Sequence, residues 1–278
     1  MGSLEKHIII SSEDKDPSSS TTNSDFVVNL AERYYTQNIL KVLVSEVTVP
    51  NVFPNIRGSD YGTSQNNLFA SSTGGPPILV NMPEGQYLLG SVNPLLDFVT
   101  VLTNLINTAI GPATIAIIYN ELTNKLVFTM TGSNLTIYGS NDVPPLLQSQ
   151  STILINDAIG IGANGLLLVD GVPTSAPFQV DLSGFQNVYV HSKEVALSHA
   201  IDGDTGLISV VSPVSLANAP FGGFAYRQNN DDELASIQYD QVRNLSRISI
   251  VLRDNLGNKL DIGTSKMNLV LKCYLDSG

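Results

Sequence analysis

LSRISIVLRDNLGNKLDIGTSKMNLVLKCYL, residues Leu245 to Leu275, decides how this chain is read. Two alternating segments flank a polar loop. In the first, Ile248, Ile250 and Leu252 point one way and Arg247, Ser249 and Arg253 the other. In the second, Met267, Leu269, Leu271, Cys273 and Leu275 share a face opposite Asn268 and Lys272. Side chains alternate across a strand, so a period of two with one apolar face predicts half-buried antiparallel β-strands.

The same signal recurs elsewhere. His7-Ile8-Ile9-Ile10 offers a short strand. Ser11 to Ser24, SSEDKDPSSSTTNS, is polar and aperiodic and reads as a flexible N-terminal arm. SDFVVNL, Ser24 to Leu30, alternates again, with Phe26, Val28 and Leu30 on one face. ILKVLVSEVTVPN, Ile39 to Asn51, is apolar on both faces, the pattern of a strand inside a sandwich.

The middle has a different rhythm. Leu95, Phe98, Val99, Leu102, Leu105, Ile106 and Ala109 recur at helical spacing, with Asn93 as the expected N-cap, Pro94 at the first helical position and Gly111-Pro112 as the stop. A hairpin follows, with Ile115, Ile117 and Tyr119 answered by Leu126, Phe128 and Met130, and then a strand at Leu135 to Tyr138. Strands are expected again at Phe178 to Leu182, Asn187 to His191 and Leu207 to Val211. The fold class is therefore mainly β, with a small α+β domain inserted. The expected division is 1–83, 84–177 for the insert, and 178–278.

A chain of 278 residues can bury roughly three quarters of its unfolded surface and needs no disulfide or metal staple. Charged residues are 14%, against about 25% in a typical soluble domain. So uncharged a surface suits a subunit whose flanks neighbours cover. The net charge of -11 and the lack of a basic run argue against direct nucleic-acid binding. No run has the shape of a signal peptide or approaches the roughly 18 apolar residues of a membrane span, so a soluble chain without a membrane span is expected. Cys273, the single cysteine, reads as a buried hydrophobe. The sequons at Asn134 and Asn244 read as chance.

Chemistry-bearing motifs are sparse. Gly160, Gly162 and Gly165 spell a dinucleotide fingerprint, with Asp181 about twenty residues on as such a site wants. The motif has to open a helix, and here it runs into Leu166-Leu167-Leu168-Val169, so a glycine turn between strands is the better reading. His7, His191 and His199 lack metal-ligand spacing, and His191 with Glu194 would still need a third ligand. Asp202 to Gly206 lacks the spacing of a calcium loop. No catalytic, cofactor or metal site is expected, and an enzyme is not. Phe221, Phe224 and Tyr226 lie in a loop expected over Ser212 to Glu233, which is either tucked on its own sheet or a contact between subunits.

The order "strand, Arg253-Asp254, Asn/Gly turn, long return strand" resembles the close of viral jelly-roll capsid proteins. SDFVVNL followed by a strand ending Val49-Pro50-Asn51 is similar to the start of penton proteins of the jelly-roll double-stranded DNA viruses, of virophage, polinton and giant-virus type. That resemblance implies a single jelly-roll β-sandwich and a structural virion protein. Five copies would form a homopentamer that closes the icosahedral vertex beside the major capsid protein, made in the host cytoplasm. The arm would reach a neighbour, and the insert would be free to meet a host receptor or spike. Loops Asn51 to Gly75 and Ser212 to Glu233 are the expected contacts. A receptor- or carbohydrate-binding module on a β-sandwich is the alternative.

Overall fold

The structure is a computed structural model. It describes residues 4–18, 22–30, 36–57, 66–73, 75–142, 155–156, 158–184, 186–195, 201–202, 206–207, 210–229, 236–254 and 257–276. The chain divides into two compact units: Met1–Phe53 with Phe185–Gly278, and Pro54–Gly184.

The first unit opens with β1 (Leu4–Ser11), β2 (Asp25–Asn29) and β3 (Thr36–Pro50). The second holds β4 (Asn67–Ser72), β5 (Ile78–Asn81), α1 (Phe98–Ile110), β6 (Thr114–Asn120), β7 (Lys125–Thr131), β8 (Leu135–Ile137), β9 (Leu166–Leu168) and β10 (Thr174–Ser175). The first unit then resumes with β11 (Asn187–His191), β12 (Ile201–Asp202), β13 (Gly206–Leu207), β14 (Val210–Ser215), β15 (Phe224–Gln228), β16 (Ser236–Leu245), β17 (Arg247–Arg253) and β18 (Asn268–Leu275).

Strand order in the first unit defines its topology. One sheet runs β1-β18-β3-β15, with β16 also on β3, and the other runs β14-β11-β17-β2. First pairs with last (β1 with β18), second with penultimate (β2 with β17), β3 with β15 and β16, and β11 with β14, all antiparallel. Nested antiparallel pairs split over two sheets make a jelly roll, eight strand positions in two Greek keys. Two strands share one position: along β3, β16 meets Leu43 back to Thr36 and β15 meets Pro50 back to Glu46. The expected single jelly roll with an α+β insert is the architecture observed.

The opening stretch thus supplies one strand to each sheet rather than a hairpin. Ile248, Ile250 and Leu252 of β17 and Leu269, Leu271 and Cys273 of β18 are all buried. At about 25 cal/mol per Å², each fully buried side chain of this size favours folding by roughly 1.5–3 kcal/mol. Burial raises the Cys273 thiol to about 11, with Lys6 only partly offsetting it, which keeps the group protonated and inert. Among the described residues no helix is long and apolar enough to cross a membrane.

Three expectations need correction here. Residues 12–14 form a short 3-10 turn, and the described part of the N-terminal arm is pinned to its own unit. The Asp16 amide donates to the Val27 carbonyl at 2.7 Å, Asn29 donates to the Asp16 carboxylate at 2.7 Å, and Asn23 donates to the Ser265 carbonyl at 3.0 Å. The arm covers edge strand β2, so Val27 is buried as well as Phe26 and Val28. Phe178 to Leu182 is not a strand: the amides of Phe178, Val180 and Asp181 donate to the loop carbonyls of Gly160, Asn124 and Ala158, not to a ladder. The expected loop over Ser212 to Glu233 contains the end of β14 and all of β15, while residues 230–233 lie outside the described residues.

The second unit is built on sheets β5-β4-β8-β9 and β10-β7-β6 with α1 against β5 and β6. It opens at Pro54 rather than at the expected Glu84, because β4 pairs with β5 and β8 and buries Leu68 and Ala70 in this unit's core. Asn55, itself buried, joins the unit's two ends: its amide donates to the Tyr87 and Leu182 carbonyls at 2.8 and 3.3 Å, and its oxygen accepts from the Tyr87 amide at 2.9 Å.

Helix α1 buries Phe98, Leu102 and Ile106, one turn apart. Its N-cap is Asp97 rather than Asn93. Asn93 heads the preceding turn, accepting from the amides of Leu95, Leu96 and Asp97. Asp97 accepts from the Thr100 amide and hydroxyl at 2.9 and 2.6 Å and from the Gly90 amide at 2.9 Å. Burial would raise its carboxyl, but these hydrogen bonds outweigh burial and hold it below the usual range. Replacing an N-cap carboxylate by alanine costs about 1 kcal/mol. Asp97→Ala is therefore expected to lower the thermal midpoint by about 2–4 °C, and an unchanged melting curve would show that the cap contributes nothing.

Candidate functional site

A groove of about 410 Å³ lies in the first unit between the edge strands β14 and β15. Pro213 and Ser215 line one wall, and Phe224, Tyr226 and Arg227 the other, with Asn218 and Ala219 in the connecting turn. Alternation along β15 sets its chemistry. Ala225 is buried, so Phe224 and Tyr226 point outward and are 60% and 55% exposed, and Phe221 in the turn is 50% exposed. The phenol of Tyr226 is raised by partial desolvation and by the charge and hydrogen bond of Glu46.

Backbone geometry holds the aromatics in place. Asn51, at the end of β3, donates its amide to the Gly223 carbonyl and accepts from the Gly222 amide, both at 2.8 Å, and its side chain donates to the Ala219 carbonyl at 2.7 Å. Gly222 sits at φ +80°, which only glycine adopts without strain. Arg227 donates to the Pro213 carbonyl at 2.5 Å, joining the edges of the two sheets. A rigid, exposed aromatic edge of this kind suits protein contact, where large aromatic side chains concentrate.

The other sequence candidates are absorbed by structure. Gly160, Gly162 and Gly165 lie in a loop that enters β9, so no helix N-terminus faces a phosphate. These glycines serve close packing instead. A Cβ at Gly160 would lie 2.4 Å from the Phe178 carbonyl oxygen, and one at Gly165 would lie 2.5 Å from that of Ile137. Asp181 accepts from the Ser183 amide in a local turn. Asn156 ties the loop down, its side chain donating to the Tyr138 carbonyl at 2.7 Å and its carbonyl accepting from the Ile161 amide at 2.8 Å.

Glu194 Oε2 accepts from the Ser249 amide at 2.8 Å and the Ser249 hydroxyl at 2.5 Å, and no third ligand joins it and His191 among the described residues. His7 is exposed on β1, while His199 and residues 203–205 of the acidic loop lie outside the described residues. Among the described residues no group of three His, Cys, Asp or Glu could hold a metal ion. Both sequon asparagines act as acceptors: Asn134 for the Asp170 amide at 2.8 Å, Asn244 for the Asn38 amide at 3.1 Å. Of the expected contact loops, Asn51 to Gly75 contains the buried strand β4, and residues 58–65 and 74 lie outside the described residues. The aromatics were visible in the sequence. Their exposure was not, because it follows from β15 pairing with β3 in one register.

No protein-family model matches the chain, and no curated protein matches it in sequence. Among solved structures, the mavirus penton protein superposes with a TM-score of 0.51 at 10% identity, over 99% of each chain. The fold is penton-type. A chain of the Sputnik virophage, from its cryo-EM structure, aligns over 99% of this chain and 98% of its own, with a TM-score of 0.45 at 11% identity. A penton-type fold here carries its insert between β3 and β11 and its aromatic groove between β14 and β15.

His191 supplies a pH test of the first unit. Burial, and then the charge of Arg253, push it down to about 4 from 6.5. Between these values the unfolded chain binds a proton that the folded chain does not, so stability falls as pH drops from 6.5 towards 4. His191→Gln lacks this group. Its urea midpoint, compared with the wild type at each pH, is expected to gain progressively on the wild type across that window. A constant difference would show that His191 titrates normally.

Proposed function

We propose that this chain is a structural capsid protein, a vertex penton that assembles as a homopentamer. The observation that carries the reading is the penton-type fold spanning both chains almost completely. The exposed aromatic groove and the low share of charged residues support it, since both suit a surface that is covered on assembly. A closed ring needs heterologous contacts, in which one side of each subunit meets a different side of the next. The β14–β15 edge is one such side: Phe221, Phe224 and Tyr226 would lose water against the adjacent copy. The role assigns no catalysis. The further partner is the surrounding major capsid protein, and the location is the virion vertex.

A specific observation favours a second reading for the second unit. Leu88, Val92, Leu95 and Leu96 are exposed together in the turn that leads into α1. Apolar residues gathered on one exposed turn mark a contact surface. This knob would meet a host receptor or a spike, and carbohydrate binding on a glycan array would extend that reading.

Light scattering of the purified chain tests the pentamer, with an expected mass near five times 29.8 kDa. The pair Phe224→Ser and Tyr226→Ser, both exposed, is expected to shift the mass towards the monomer while far-UV circular dichroism stays the same. A wild type that remains a monomer at all concentrations, and is absent from purified virions, refutes the proposal.

A further inference from the structure

The outer face of the sheet β14-β11-β17-β2 carries a second groove, of about 250 Å³, lined wholly by the first unit. Alternation along β17 creates it. Ile248, Ile250 and Leu252 face the core, so Arg247, Ser249, Val251 and Arg253 face outward in a row. Lys193 approaches from the end of β11, Lys259 from the loop after β17, and Asp25 from β2. Four cations against two carboxylates, Asp25 and Glu194, leave the groove at +2 with His191 neutral. The chain as a whole carries -11, so everything outside the groove sums to -13. The groove is a positive site on an acidic protein.

Its charges are unequally engaged. Lys259 pairs with Asp25 at 2.5 Å, Arg253 donates to the Gly257 carbonyl, and Glu194 is taken by Ser249. Arg247 and Lys193 are exposed and have no hydrogen-bond or ion-pair partner among the described residues.

We propose that this groove is the docking site for an extended acidic peptide segment of a partner protein. Spacing favours an extended chain over a compact anion. Arg247 and Arg253 are six residues apart on one strand, about 20 Å at ~3.3 Å per residue, further than a single phosphate reaches. In an extended peptide every second side chain faces the same way, so acidic residues at alternate positions would meet the cations in turn. Charge favours a short segment over a nucleic acid, because a long polyanion would run off the groove onto a surface of net -13. The inference stands independently of the capsid role.

The test is fluorescence anisotropy of the whole protein with a labelled peptide of alternating Glu and Ser. The wild type is expected to bind it at low salt and to lose it as salt rises. The double variant Arg247→Gln/Lys193→Gln is expected to bind about tenfold more weakly, as befits the loss of two exposed ion pairs. Both residues are exposed, so an unchanged near-UV spectrum verifies that the variant folds. Lys41→Gln, a cation on the other sheet, is expected to bind as the wild type does. No binding by the wild type, or equal binding by the double variant, overturns the proposal. So does inorganic phosphate or a short oligonucleotide that binds more tightly than the peptide and suffers the same loss in the double variant.

Discussion

Strand β3 is the strand of the first unit with the most partners, pairing with β18, β15 and β16. Its fifteen residues present two long rows of backbone donors and acceptors and an apolar face that includes Ile39, Val42, Val44, Val47 and Val49. An unpaired buried backbone group costs about as much as a lost hydrogen bond. Only β18 on one edge and β15 with β16 on the other meet that demand. All three come from the last quarter of the chain, so the ends must find each other across the whole second unit. The Leu4 to Leu275 pairing closes a separation of 271 positions, the difference of the two numbers. Such non-local pairing folds slowly, which makes an insert able to collapse around its own core a workable neighbour in sequence.

The second unit has that core. Phe98, Leu102, Ile106, Phe128 and Met130 belong to one buried cluster that draws only on its own residues. Asn55 ties the entering strand of chain to the leaving one, so the insert begins and ends at one point. Tight glycine packing at Gly160 and Gly165 then lets loop backbones approach closer than any side chain allows.

Charge placement links the fold to the proposed roles. A protein with few charges has little ionic shell to keep it dispersed, which suits the proposed covering of its aromatic edge on assembly. Four of its 14 Lys and Arg residues line one groove, where strand alternation sets Arg247 and Arg253 on the outward side of β17. One strand thus contributes core on one face and an electrostatic surface on the other.

Local pattern was sufficient wherever burial follows the period of the backbone. The alternation over Leu245 to Leu275, the helical spacing of Phe98, Leu102 and Ile106, and the hairpin around Asn124 were all legible, because each side chain's face is set within a few residues. The strands β15 and β16 were not, because Gly222-Gly223 and the polar run of Gln238, Asp240 and Gln241 look like loop until β3 pairs with them. The N-cap was misplaced by one turn, since Asn93 and Asp97 are both competent caps and only the hydrogen bonds to Thr100 and Gly90 choose between them. By itself, then, the sequence determined a β-rich, low-charge, acidic chain with a helical insert and no legible catalytic set. Tertiary structure alone decided that β17 and β18 belong to opposite sheets, that the arm closes an edge, and which aromatics and cations face water. Those outcomes depend on which distant strands pair, and pairing is a property of edges brought together by folding rather than of any local run of residues.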